Sequence, residues 1–164
     1  MSSALKNLSE HDSNSIPNAK KMRFGIVVSE WNSEITEALF DACYNSLIEH
    51  GADKKNIIKN YVPGSFELTL GAQFLAADKN IDAVICLGCV IQGETRHFDF
   101  ICDAVANGIT NVSLKYNKPV IFGVLTPNTQ KQAWERSGGK HGNKGVEAAV
   151  TAIKMVELQR TIKS

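Results

Sequence analysis

The sequence predicts a three-layer α/β domain, with a central four-stranded parallel sheet covered by helices on both faces. Three observations point there. Short, near-continuous apolar runs recur four times, each run precedes a segment with helical spacing, and glycine, proline or polar clusters mark the changes. Continuous rather than alternating apolar runs are the pattern of strands buried on both faces, as in parallel sheets.

The first run, MRFGIVVS (22–29), is a buried strand in character. After Trp31 and Asn32, apolar residues fall at Ile35, Leu39, Ala42, Cys43 and Leu47, which is helical spacing; Asn32 or Ser33 can cap that helix and Gly51 can end it. The second strand is NIIKNYV (56–62), halted by Pro63 and Gly64, and Ser65 then opens a helix with Leu68, Ala72 and Leu75 on one face. DAVICLGCVI (82–91) is the most continuous strand, and a long helix from about His97 carries Phe98, Ile101, Val105 and Ile109. PVIFGVLT (119–126) is the fourth strand. Helix NTQKQAWERS (128–137) follows, then a kinked connection at Gly138–Gly142, then a last helix from Asn143 to about Ile162.

The chain has 164 residues, so this is one domain, 22–164, with length to spare only for a tail. Residues 1–21 are rich in Ser and Asn, carry Pro17 and show no sustained periodicity; they are expected to form a mobile arm. Lysine plus arginine is 18 against 17 for aspartate plus glutamate, a net charge of +1, which argues against a general nucleic-acid binder. No apolar run approaches a membrane span and the N-terminus lacks a secretory core segment, so a cytoplasmic protein without membrane partners is expected. Cys43, Cys86, Cys89 and Cys102 lie in apolar stretches and read as reduced, buried thiols. Cys86 and Cys89 form a C-x-x-C, but inside a strand, with no second pair and with scattered histidines, so no metal is expected.

In parallel sheets the ligand sits outside the carboxyl ends of the strands. That rule singles out the loops Ser29–Ser33, Val62–Glu67, Val90–His97 and Leu125–Thr129. Gly88 to Thr95 is a near miss to the phosphate loop of nucleotide hydrolases, with Glu94 where lysine is required, which disfavours triphosphate hydrolysis. A glycine turn entering a helix can still present backbone N–H groups to one anion, and it is also what a plain strand-to-helix junction needs. His97 at a helix start is a reasonable general acid/base, or simply a solvated residue. Trp31 beside Asn32, and Phe66 beside Glu67, suit a flat heterocycle that donates N–H groups; Phe66 as core and Glu67 as an early helix residue would fit the spacing too. Arg136, Lys140, His141 and Lys144 lie among glycines, as a solvated connection or as cations for an anion across a subunit boundary.

The ordered set WNSEIT, VPGSFEL, GCVIQGETRHFDFI, FGVLT and ERSGGKHGNKG resembles the 6,7-dimethyl-8-ribityllumazine synthase family from about Arg23 to Ile162. The resemblance implies a flavodoxin-like fold and a cytoplasmic transferase of riboflavin biosynthesis. It condenses 5-amino-6-(D-ribitylamino)uracil with L-3,4-dihydroxy-2-butanone 4-phosphate, releases phosphate and water, and needs neither metal nor organic cofactor. It implies pyrimidine and ribityl contacts from Trp31, Asn32, Ser65, Phe66, Glu67, Val90, Ile91 and Gln92, and phosphate contacts from Gly93, Glu94 and Thr95. His97 matches the proton-transfer residue, and Phe122, Arg136 and Lys144 match residues supplied by an adjacent subunit, with Arg136 on the phosphate. A homopentamer is implied, with a shell of twelve pentamers in some members and riboflavin synthase as a possible associate. The short Gly138–Gly142 kink looks like that of shell-forming members, whereas Pro17 can interfere with pairing of the arm to a neighbour's sheet. Trp31 stands where phenylalanine is common and Ser65 where alanine is also frequent. Two other readings compete: a flavodoxin-like module that holds a flavin without turnover, and a shell subunit without catalysis. The retained His97, Glu94, Thr95, Arg136 and Lys144 weigh against both.

Overall fold

Four apolar runs become four parallel strands: β1 (Phe24–Ser29), β2 (Ile57–Val62), β3 (Ala83–Cys89) and β4 (Val120–Leu125), ordered β2-β1-β3-β4. The computed structural model describes residues 7–163. Register is set by Phe24 opposite both Ile57 and Ala83, and by Val84 opposite Val120. Every residue of β1 and β3 is buried, as their unbroken apolar runs predict for central strands. At the edge, β2 is only half covered and carries Lys59 and Asn60 in its middle. The third strand stops at Cys89, two residues short of the sequence expectation, because Val90 and Gln92 turn to donate to the carbonyls of Leu125 and Pro127 at 2.8 and 3.0 Å.

Side chains alternate across the sheet and so build two cores. On one face, Phe24, Ile26, Val28, Ile85 and Leu87 pack against helices α1 (Ser33–Glu49) and α5 (Lys144–Lys163), through Leu39, Leu47, Ala149 and Ile153. On the other, Val27, Val84 and Cys86 pack against α2 (Leu68–Ala77) and α3 (His97–Tyr116), through Leu68, Ala72, Val105 and Ile109. The spacing of four between Ile35, Leu39, Cys43 and Leu47 puts all four on the buried stripe of α1. α2 starts three residues later than Ser65, which opens a 3-10 turn over Ser65–Glu67 instead.

The segment 128–143 departs from a simple helix and kink. Thr129 caps α4 (Gln130–Glu135) by accepting from the Gln132 N–H at 3.2 Å. Arg136 ends that helix, and the glycine stretch folds into an antiparallel ribbon of β5 (Ser137–Gly139) and β6 (Gly142–Asn143). Without Cβ atoms Gly138, Gly139 and Gly142 make so tight a hairpin possible where the sequence pattern suggested only a break. Asn143 anchors it: its side chain donates to the Ala38 carbonyl at 3.1 Å and accepts from the Gly145 N–H at 2.7 Å.

Of the segment expected as an arm, residues 1–6 lie outside the described residues. Residues 7–21 lie along the domain. The Leu8 N–H donates to the His141 carbonyl at 2.8 Å, the Ser9 hydroxyl accepts from the Asn143 N–H at 3.0 Å, and Ala19 is fully buried.

α1 and α5 come into close backbone contact at Gly145, where an added Cβ would collide with the Leu39 carbonyl. Gly93, by contrast, has open space around it. Gly145→Ala is expected to lower stability by roughly 1–3 kcal/mol in urea unfolding, with Gly93→Ala close to wild type. Equal stability of the two variants would contradict this packing.

Candidate active site

From β1 the chain crosses first to one side, to β2, and later to the other side, to β3. The loops leaving β1 and β3 therefore part at their carboxyl ends and open a crevice, the position where such sheets bind ligands. Asn32 sits at its floor in the left-handed conformation, φ 61° and ψ 44°. A side chain there costs about 1–3 kcal/mol, least for asparagine, so something must hold it. The Asn32 amide donates to the Cys89 carbonyl at 2.9 Å, across from β1 to β3. Asn32 thus occupies the cap position of α1, but its side chain makes no capping bond, because it is engaged with β3.

The same carbonyl accepts from the Ser65 hydroxyl at 3.5 Å, which brings in the loop after β2. Two further bonds fix the first loop: the Glu30 and Trp31 N–H groups donate to the Val62 and Pro63 carbonyls at 2.8 and 3.1 Å. The buried Thr36 hydroxyl donates to the Ser29 carbonyl at 2.7 Å and ties the start of α1 to the end of β1. Ser65 can come this near only because residue 88 is glycine: a Cβ there would stand 2.7 Å from both the Ser65 hydroxyl and a Leu68 methyl.

Around this knot lies a cavity of about 330 Å³, lined by Trp31, Asn32, Ser65, Phe66, Glu67, Val90, Ile91 and His97, together with Gly64, Cys89 and Ile101. Eight residues singled out from sequence thus meet in one place. Trp31 is 72 % and Phe66 55 % exposed, so two aromatic faces are open at the rim and neither ring is core. His97 is the first residue of α3, as expected, with its backbone N–H on the Thr95 hydroxyl at 3.4 Å. Its imidazole has no hydrogen-bond partner among the described residues.

Arg136 and Lys144 are not in that cavity. They line a second hollow of about 220 Å³ at the end of β4, with Leu8, Pro127, Asn128 and Gln132. Lys144 pairs with Glu147 at 2.5 Å, and its backbone N–H donates to the Arg136 carbonyl at 2.9 Å. The Arg136 guanidinium has no carboxylate partner among the described residues. Gln92, Gly93, Glu94 and Thr95 form the exposed connection between β3 and α3 and line neither hollow. Phe122, in the middle of β4, is half-buried against the α2–α3 core, away from the first cavity.

The C-x-x-C thiols face opposite sides of the sheet, Cys86 in one core and Cys89 in the other. Burial pushes the thiol of each up to about 12, with the Cys102 charge adding to the effect at Cys89. Both stay protonated near neutrality and are not nucleophiles. Three lining residues escaped the sequence reading as site residues: Gly64, Cys89 and Ile101. Ile101 lies one helical turn after His97, a spacing that could have placed it on the same face. The role of Cys89 is carried by its backbone carbonyl, which no side-chain pattern signals.

The comparisons with known proteins agree with one another. A family model described as 6,7-dimethyl-8-ribityllumazine synthase matches residues 21–160. Similar proteins carrying that name include one from Cytophaga hutchinsonii, 65% identical over 156 residues, which span 95% of this chain and 98% of that one. Another, from Parabacteroides distasonis, is 56% identical over 158 residues, with 96% and 99% covered. A third, from Flavobacterium johnsoniae, is 54% identical over 160 residues, with 98% and 84% covered. With the sheet order, the crevice and matches over nearly its whole length in agreement, the chain belongs to the 6,7-dimethyl-8-ribityllumazine synthase family of enzymes.

Proposed function

We propose that this protein catalyses the penultimate step of riboflavin biosynthesis as a transferase. It joins 5-amino-6-(D-ribitylamino)uracil to L-3,4-dihydroxy-2-butanone 4-phosphate and releases phosphate and water. The observation that carries the reading is the single cavity in which Trp31, Phe66, Glu67, Asn32, Ser65 and His97 converge, in a chain of this family.

The chemistry follows from the groups. Trp31 or Phe66 stacks on the flat pyrimidine, and the Glu67 carboxylate accepts from its ring N–H. Asn32 and Ser65 line the floor beside the ribityl hydroxyls, with Val90 and Ile91 along the wall and Gln92 just beyond it on the exposed connection to α3. The amine attacks the ketone and water leaves to give an imine; a proton shift then expels phosphate, and the second amine closes the ring with loss of water. His97, at the rim with its imidazole unengaged, moves the protons. Gly93, Glu94 and Thr95 supply the phosphate turn.

Arg136, Lys144 and Phe122 lie outside the cavity of their own chain, and this supports a site completed by a second copy. Arg136, without a carboxylate partner, meets the substrate phosphate of the neighbour. A ring of five copies gives each cavity one such neighbour through a repeated head-to-tail contact. A sixty-subunit shell, an enclosed riboflavin synthase and a cytoplasmic location extend the same reading. No helix among the described residues is long and apolar enough to cross a membrane.

Metal-free protein mixed with the two substrates should form the fluorescent lumazine above the spontaneous rate, in proportion to protein and in the presence of chelator. In that assay His97→Ala is expected to lose roughly a hundred- to ten-thousand-fold in turnover yet stay above background, because positioning survives. Turnover unchanged in His97→Ala would remove it as the acid/base. No rate above background in the wild type, with riboflavin still bound, would instead indicate the flavin-holding module.

The exposed indole of Trp31 offers a wider stacking face than phenylalanine. Yellow flavin absorbance is expected to co-purify with the wild type and to be lost from Trp31→Ala. Equal retention by both would contradict stacking at this residue.

A further inference from the structure

His11, in the N-terminal segment, packs against His50, at the end of α1, with ring centroids 5.3 Å apart and planes 48° from parallel. Each Nδ1 faces a backbone carbonyl, His11 that of Ser9 at 2.9 Å and His50 that of Ser46 at 2.7 Å. A carbonyl only accepts, so each Nδ1 carries the hydrogen and each neutral ring keeps its lone pair on Nε2. The Nε2 of His50 is buried without a partner among the described residues, as is the neighbouring Ser46 hydroxyl.

A proton on that nitrogen would create a buried donor with nothing to accept from it. A proton on each ring would place two positive charges side by side. None of the charged groups near the pair in sequence or packing forms an ion pair with either ring among the described residues. On the N-terminal segment, Glu10 and Asp12 flank His11, and the Asp12 carboxylate accepts from the Asn14 N–H at 3.0 Å. On α1, Glu49 precedes His50; beyond it, Asp53 is engaged with the Lys55 ammonium at 3.1 Å. From α5, Arg160 reaches the Lys21 carbonyl and Asp82 rather than either ring. Among the described residues neither imidazole has an ion pair.

The contact also sits at one end of a longer attachment. The Ala19 N–H donates to the His50 carbonyl at 2.9 Å, while Leu8 and Ser9 bond to the β5–β6 hairpin. Leu8 lines the hollow that holds Arg136 and Lys144. We propose that the His11–His50 contact is an acid-released latch. With both rings neutral it fastens residues 8–19 along α1 and over the hairpin, and protonation of the pair frees them and uncovers the Arg136–Lys144 hollow on the Leu8 side. The latch stands on packing and hydrogen bonds alone, so its test is separable from that of the reaction assigned above.

Hydrogen exchange followed by mass spectrometry on the full chain, at about pH 7.5 and about pH 5.5 and corrected for the intrinsic pH dependence of exchange, reads the latch directly. Peptides spanning 8–19 are expected to exchange at least about tenfold faster at the lower pH, while β1 and β3 keep their protection. His11→Phe, and His50→Phe where it folds, keep a packed ring that cannot be protonated and should retain protection at both values. Undiminished protection of 8–19 in the wild type at the lower pH, or the same loss in His11→Phe, would overturn the proposal.

Discussion

The carbonyl oxygen of Cys89 receives two side chains that belong to different strands, and the crevice depends on that meeting. Asn32 reaches it from the end of β1 at 2.9 Å, and Ser65 from beyond β2 at 3.5 Å. Each bond is worth only about 0.5–1.5 kcal/mol net, comparable to the cost of holding Asn32 at positive φ. The arrangement therefore adds little to stability; its effect is to fix three loops relative to one another. Trp31 follows from Asn32, Phe66 and Glu67 follow from Ser65, and Val90 and Ile91 follow from Cys89 itself. Joining the three strand ends holds the cavity walls in one arrangement, the preorganisation that the proposed condensation of two substrates would use. Gly88 is part of the same device, since any side chain there would push Ser65 away.

Much of this was legible in the sequence, for identifiable reasons. The buried strands could be read because β1 and β3 are covered on both faces and so lack polar interruptions; the edge strand β2 was legible through Pro63 and Gly64, which stop it. The loops were legible because a parallel sheet presents its chemistry at the carboxyl ends, and a tryptophan–asparagine pair or a helix-start histidine is conspicuous there. What stayed hidden depends on backbone geometry. The left-handed Asn32, the Cys89 carbonyl and the two-residue shortening of β3 leave no trace in residue type. Nor does the β5–β6 hairpin: glycines announce a turn but not its pairing. The N-terminal segment shows a different limit, since isolated residues such as Ala19 and Ser9 attach it without any periodic pattern.

The division of the site is its most informative feature for mechanism. An aromatic half with His97 lies between β1 and β3, and a cationic half with Arg136 and Lys144 lies at the end of β4, so neither hollow holds all the groups that the proposed reaction uses. The proposed joining between copies would account for Arg136 lacking a carboxylate partner among the described residues and for Phe122 lying away from the cavity. On the proposed reading, such a division makes activity a property of the assembly and not of the folded chain alone.

Co-refolding equal amounts of His97→Ala and Arg136→Ala chains tests this most directly. If each site takes His97 from one copy and Arg136 from its neighbour, about a quarter of the sites regain both groups, and turnover should rise well above the sum of the two variants alone. Turnover no greater than that sum would place both groups in one chain's site and contradict the account.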